Sequence, residues 1–489
     1  MAFLESLASA RAASKALTSG PGWLKAMREK AWEQAIIAGL PTTRHESFRY
    51  TSLRPLAALA NGPGTPDYLP AQAPWEFLSE EAANKLRDLL DPAGLNLVFV
   101  DGVFVHELSG AGPDVQVFPG APDMNQCVHV EGLREALQNH SAEAVKSLLE
   151  TIAKARQGLP VPVAHVAKQE QTLELVEDAF LNEGVLIHFS DDFVAPAPIR
   201  LIHVHAHSQA HSQAHAPASA QQPRPTAGFT RHLIHVGQNT TARISECYLD
   251  AIHPQSINES ETKANPRNVF FAGTTIVMEK NSILRHDRIL SAASDLHFGN
   301  TNVVVAGGAR YLSLALNLSA NLGRHNITAM IEGEGAEVVL DGLTTAQGEQ
   351  LLDTQSIVDH RAPHTTSRQL YKSILKDKSR SVFSGKIFVR KGAQKTAAFQ
   401  QTKTLLLSND AEVDAKPQLE IEADDVRCSH GATVTQLNHD EMFYLRSRGI
   451  PESTAEAMLS QAFAGEILRT ADDPWLEALA RKELTRFFQ

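Results

Sequence analysis

Cysteine is scarce. Cys127, Cys247 and Cys428 are the only three among 489 residues and lie far apart. That excludes a secreted disulfide framework and a CxxC zinc knuckle, and makes a reducing cytoplasm the expected compartment. Positive charge is also short: 45 Lys+Arg against 56 Asp+Glu leave a net charge of -11, which argues against a nucleic-acid binder. No apolar run approaches the ~18 residues of a membrane-spanning helix. Even residues 95–105 are broken by Asn96, Asp101 and Gly102. Catalytic signatures are missing as well. Gly385-Lys386-Ile387 lacks the spacing of a Walker A loop, Gly333-Glu334-Gly335 leads toward the strand-like Val338 rather than opening a helix, and neither GxSxG nor HExxH occurs. Nothing here nominates a nucleotide site, a serine nucleophile or a zinc protease centre. Asp424 and Asp425 are adjacent, so in a strand they would face opposite ways and make a poor acid–base pair. No catalytic centre is nominated by these motifs.

What is present falls into three stretches, in keeping with two to four domains for this length. The first is mainly helical. Leu24, Met27, Trp32, Ile36 and Ile37 recur at helical spacing, predicting a helix over residues 23–39 that Gly39 and Pro41 stop. Further helices are expected over 80–90 and 132–157, with an apolar hairpin around Asp101-Gly102 between them. From about Gln171 the pattern changes to short β-branched runs, at 184–188, 199–204, 232–236, 242–247, 268–276, 301–305, 311–317, 326–331, 336–340, 381–389 and 397–404. Few helices long enough for βαβ crossovers intervene, so a doubly wound sheet is disfavoured. Sandwiches, barrels and a solenoid are left; turns such as Gly333-Glu334-Gly335-Ala336 and Gly392-Ala393 recur without Asn-Gly hairpin signals, which adds support for the solenoid, although no fixed repeat period is readable. A His-rich tract containing His207, His211 and His215 interrupts the strands and reads as a solvated loop.

After His430 the pattern reverts to helix. Asn438 and Glu441 are spaced as a capping box and Gly449 is placed to end that helix; Ser453 and Glu456 repeat the spacing. The second helix carries an apolar stripe, Ala455, Met458, Leu459, Ala462, Phe463 and Ile467, that either packs on the body or docks a partner. Just before these helices lies Asp424-Asp425-Val426-Arg427-Cys428-Ser429-His430-Gly431-Ala432-Thr433-Val434. In an extended chain residues two apart share a face, so the Cys428 thiol and the His430 imidazole would project together. Both groups are iron and zinc ligands. An inert buried cysteine beside a hydrogen-bonded histidine would give the same pattern.

The run Cys428-Ser429-His430-Gly431-Ala432-Thr433-Val434, followed by Met442-Phe443-Tyr444-Leu445-Arg446-Ser447-Arg448-Gly449-Ile450, resembles the SufB/SufD family of iron-sulfur cluster assembly scaffolds of the SUF system, and its SufD branch in particular. Arg44-His45-Glu46, Phe48-Arg49-Tyr50-Thr51 and Ser384-Gly385-Lys386-Ile387 are similar to further signatures of that family. The resemblance implies a right-handed parallel β-helix flanked by N-terminal and C-terminal helical domains, divided at 1–165, 166–435 (with the insert at about 205–228) and 436–489. It implies a chain that pairs with SufB and binds the SufC ATPase through its C-terminal helices, with Met458, Leu459, Phe463 and Ile467 expected to dock it. It implies no stably bound cofactor, but iron or a transient iron-sulfur cluster at the SufB interface, where His430 is the first candidate residue and Cys428 the second. A SufB-like scaffold and a carbohydrate-active β-helix enzyme are the alternatives. No role is assigned to Cys127, Cys247 or the His-rich tract, and a homodimer of the isolated chain stays open.

Overall fold

The computed structural model describes residues 2–61, 67–68, 84, 86–87, 90, 94–109, 127–157, 159, 169–205, 226–250 and 268–488. The His-rich tract beyond His205 and most of the helix expected over 80–90 lie outside these residues. The fold is mainly β, a parallel solenoid with helices toward both ends of the chain. From Glu337–Ala346 onward each strand pairs in parallel with the strand two further along. Leu351–His360 joins Arg380–Val389, and Thr366–Leu375 joins Ala397–Leu406, so each rung adds one strand to each of two facing sheets. Ile283 pairs with Arg310, Leu351 with Arg380 and Arg380 with Glu412, spacings of 27, 29 and 32 residues. This drift is why no fixed period is legible in the sequence.

Alternation along the strands sends every second side chain into the space between the sheets. Val338, Leu340, Val358, Ile387, Val389 and Ala398 there belong to one buried cluster. The interior also takes polar residues, which hid two strands from a hydrophobicity reading. His360, for example, is fully buried in Leu351–His360. Its Nδ1 pairs with Thr365 Oγ1 at 2.8 Å and its Nε2 with Ser367 Oγ at 2.9 Å, and burial pushes its pKa down to about 4. The ring is neutral and serves as a hydrogen-bonded spacer.

The hairpin at Asp101-Gly102 forms between Leu95–Val100 and Val103–Phe104, with φ of 48° and 85° at the two turn residues, the positive pair that a two-residue turn of this twist requires. Its first strand continues a solenoid sheet by pairing with Ile199–His205. The helix expected over 132–157 is divided. Val128–Gly132 is a strand, Leu133–Ala136 a single turn, and Ala142–Gln157 the main helix. Asn139 Oδ1 accepts from the Ser141 amide at 2.7 Å between them, a local turn that competes with helix.

The helix Gly22–Ala38 ends where Gly39 adopts φ 70°. Beside it Trp32 packs on Phe180, and Phe180, Phe229, Phe271 and Phe298 stack in sequence along the outside of successive rungs, at 4.3, 4.9 and 5.4 Å between ring centroids. The polar segment after this helix is a strap across the later rungs. Thr51 Oγ1 donates to Asp353 at 2.6 Å, Arg324 donates to the Ser47 carbonyl at 2.7 Å and stacks on Phe48, and Lys416 of the last rung donates to Glu46 at 2.8 Å. The Lys416 hydrogen bond, assisted by Lys386, holds the Glu46 carboxyl below its ordinary range. That tie contributes above pH 4.5 and is lost as the pH falls through the lowered value.

At the other end of the chain, Pro474–Phe488 buries Leu476, Leu479, Ala480, Leu484 and Phe487 against Leu314, Leu316, Leu343 and Ile374 on the outer face of one sheet. The buried Arg200 guanidinium grips Asp473 just before it with two bonds of 2.9 Å, and Ser245 Oγ adds a third at 3.0 Å. Removing the carboxylate strands a buried cation, so Asp473→Ala should lose about 3–5 kcal/mol of stability in denaturant titration. A change within experimental error would show that the pair does not anchor the helix. Among the described residues no helix is long and apolar enough to cross a membrane.

Candidate functional site

The solenoid ends in two uncovered strands. Glu412–Ile421 closes one sheet and Arg427–Thr435 the other; each pairs with an earlier strand on one side, and no described strand pairs with the other. Nearly every residue of Arg427–Thr435 is exposed, including Val434 at 50%. The Arg427 amide donates to the Thr396 carbonyl. By strand alternation the amides of Ser429, Gly431 and Thr433 are then used within the sheet, and those of Cys428, His430, Ala432 and Val434 point out along the open edge. In the facing strand the Glu412 and Glu422 amides donate inward, which leaves Pro417, without an amide hydrogen, at an edge-facing position. Proline is tolerated there and not in the middle of a sheet.

Register fixes what faces the interior at this end. Val338, Ser367, Ala398 and Cys428 form one column, and Leu340, Gln369, Gln400 and His430 the next. Cys428 and His430 therefore share the inward face of the last strand, as the extended reading of Cys-Ser-His requires. They are the end members of columns that are otherwise buried. Cys428 packs partly against the core cluster, whereas His430 is exposed because no further rung covers it. Partial burial pushes the Cys428 thiol pKa up, with a backbone hydrogen bond at Ala398 opposing the shift. A thiol in this state is a poor nucleophile and becomes a ligand when a cation lowers its pKa. Cys247 is fully buried, its thiol raised well above the usual range, and Cys127 is half-buried. Among the described residues no three His, Cys, Asp or Glu side chains converge as a metal site.

A second exposed surface follows directly. The helix His439–Ser447 is capped by Asn438, whose side chain accepts from the Asp440 and Glu441 amides, and it buries none of its residues. Phe443 is 72% and Tyr444 57% exposed. The next helix, Glu452–Leu468, starts behind Pro451 with no side-chain cap, which corrects the expected box: Ser453 lies inside the helix. Its apolar stripe divides. Ile467 is fully buried against the solenoid and Phe463 lies over Lys372 at 4.2 Å, so both face the body. Met458 is 46% exposed, and Leu459 lines an apolar groove with Asp440, Glu441, Tyr444 and Leu445. Met458 and Leu459 thus join Phe443 and Tyr444 on the outer surface. Sequence reasoning quoted Phe443 and Tyr444 only within the family run and gave them no role; adjacent aromatics on a short, largely polar helix were the available signal.

The family described as SUF system FeS cluster assembly, SufBD core domain, matches residues 218–463. The chain is 30% identical over 466 residues to the iron-sulfur cluster assembly protein SufD of Escherichia coli K12, covering 94% of this chain and 90% of the relative. It is 28% identical over 430 residues to an iron-sulfur cluster assembly SufBD family protein of Synechocystis, covering 88% and 83%. Similarity to the chloroplastic protein ABCI7 of Arabidopsis thaliana is confined to 197 residues at 36% identity, 40% of this chain.

Proposed function

Because the chain belongs to the SufB/SufD family of iron-sulfur cluster assembly proteins, we propose that it is the SufD-type scaffold subunit of a cytoplasmic complex, pairing through its open solenoid end with a SufB-type paralogue and carrying the SufC ATPase on its C-terminal helices. The observation that carries this reading is the last rung. An uncovered parallel edge is a template for another strand, and a related solenoid continuing both sheets would place its own residues against Cys428 and His430. A cluster is usually held by four thiolates, sometimes with histidine replacing some of them, and two groups on one rim are an incomplete set that a partner completes. The cluster is cargo here. Cys428 and His430 supply part of its ligand shell while iron and sulfide are brought together, and they hold no permanent metal. The subunit works by positioning ligands and supporting iron acquisition rather than by catalysing a reaction of its own.

ATPase docking is supported by the exposed apolar surface of Phe443, Tyr444 and Met458, beside the groove that the half-buried Leu459 lines. A nine-residue helix that buries nothing is marginal by itself and gains from a covering partner. Met458→Glu should abolish co-purification of SufC while leaving the thermal transition of the chain unchanged, since Met458 is exposed. Co-purification at the wild-type level would remove this surface from the interface. Phe463→Glu is a poorer probe because Phe463 also covers Lys372. The whole reading is tested by anaerobic co-expression with SufB-type and SufC-type chains: one complex containing all three, with visible iron-sulfur absorbance, is the expected product.

A further inference from the structure

Several buried amides of this solenoid leave one polar atom unmatched, Gln369 Nε2 among them, but among the described residues only Gln400, one rung below the open end, leaves both. Gln369 and Gln400 occupy successive positions of one column, and across the interior Ser356 and Gly385 occupy successive positions of another, continued by Pro417. Gln369 Oε1 accepts from Ser356 Oγ at 2.8 Å. Gln400 reaches over in the same way, and its amide lies so close on Gly385 that a Cβ there would collide with it. Glycine has no hydroxyl to offer. Gln400 is 3% exposed, and neither its side-chain oxygen nor its nitrogen has a hydrogen-bond partner. Leaving both ends of a buried amide unmatched is costly and calls for an explanation.

The next member of the Gln400 column is His430. A histidine that binds a metal through one ring nitrogen generally donates its other N–H to an oxygen acceptor, which fixes the tautomer and aims the ring. We infer that Gln400 is the positioning residue for His430: its side-chain oxygen accepts the ring N–H and turns the other ring nitrogen toward the seam with the partner. Glycine at position 385, where the rung below has Ser356, is what keeps the amide available. This inference rests on the open-end reading above and extends it inward by one rung.

The test uses the complete complex with SufB-type and SufC-type chains, titrated anaerobically with ferrous iron alone and then reconstituted with iron and sulfide. Gln400→Met keeps the length of the side chain and removes the amide. Gly385→Ser puts a Cβ where the Gln400 amide now lies, so it turns that amide off its present place as well as offering it a hydroxyl like that of Ser356. Both variants should assemble. Gln400→Met should melt at the same or a higher temperature, because an unmatched polar group has left the core. Both should bind ferrous iron about tenfold more weakly, the lower end of the loss expected for an outer partner of a metal ligand, and the cluster that forms should show an altered visible spectrum. Wild-type iron affinity in both variants, alongside weakened binding in His430→Ala, overturns the role of Gln400 and leaves the site standing. Wild-type affinity in His430→Ala as well overturns both. Should Gly385→Ser fail to assemble because of that collision, Gln400→Met decides alone, and wild-type affinity there overturns the inference.

Discussion

His430→Ala is expected to leave the chain folded and its complex intact while reducing cluster formation about tenfold or more. The imidazole is exposed on the last strand, so its removal falls among surface substitutions that change stability by less than about 0.5 kcal/mol. A ligand lost from a shared site has no such slack, because the partner's groups cannot close the coordination shell alone. The measurement is the visible absorbance and iron content of the anaerobically purified complex, beside size analysis showing that all three chains remain together. A wild-type cluster content would remove His430 from the site. Cys428→Ser should be milder: Cys428 is half-buried with its thiol pKa raised, and serine keeps its size.

The second large effect concerns the edge. Ala432 is exposed, and its amide points along the open side of Arg427–Thr435. Ala432→Pro removes that donor and puts a ring where a partner strand would lie, without breaking a bond to the strand beneath. An opposing carbonyl left without its hydrogen costs about 1–3 kcal/mol, on the order of 5- to 150-fold in affinity. The chain itself should melt as before, and its affinity for a SufB-type chain, measured by titration or by size analysis across a dilution series, should fall by that factor or more. Undiminished affinity would mean that the partner meets another surface.

Much of this was legible from residues alone, because local rules agree with the fold where they were applied. Gly39, Asn438, Gly449 and the turn at Asp101-Gly102 act as their residue types demand. The Cys-x-His spacing placed both groups on one face once the segment was taken as a strand. Three features were out of reach for physical reasons. The rung length drifts, so the repeat has no period. Strands such as Leu351–His360 carry Thr354, Ser356 and His360 inward, and a hydrophobicity pattern cannot find a polar interior. The stripe from Met458 to Ile467 is one pattern in sequence yet serves two surfaces, because the solenoid covers only part of the helix. Whether a stripe packs or docks is decided by what lies opposite it, which no single segment encodes. Gln400 was invisible for the same reason: its importance comes from Gly385, on the facing sheet.

Hydrogen–deuterium exchange across residues 427–435, in the chain alone and after binding a SufB-type chain, tests the central claim most directly. The account predicts fast exchange at the amides of Cys428, His430, Ala432 and Val434 in the free chain and strong protection of those amides in the complex, as a new strand pairs with the open edge. A fully formed complex in which these amides exchange as fast as before would contradict it.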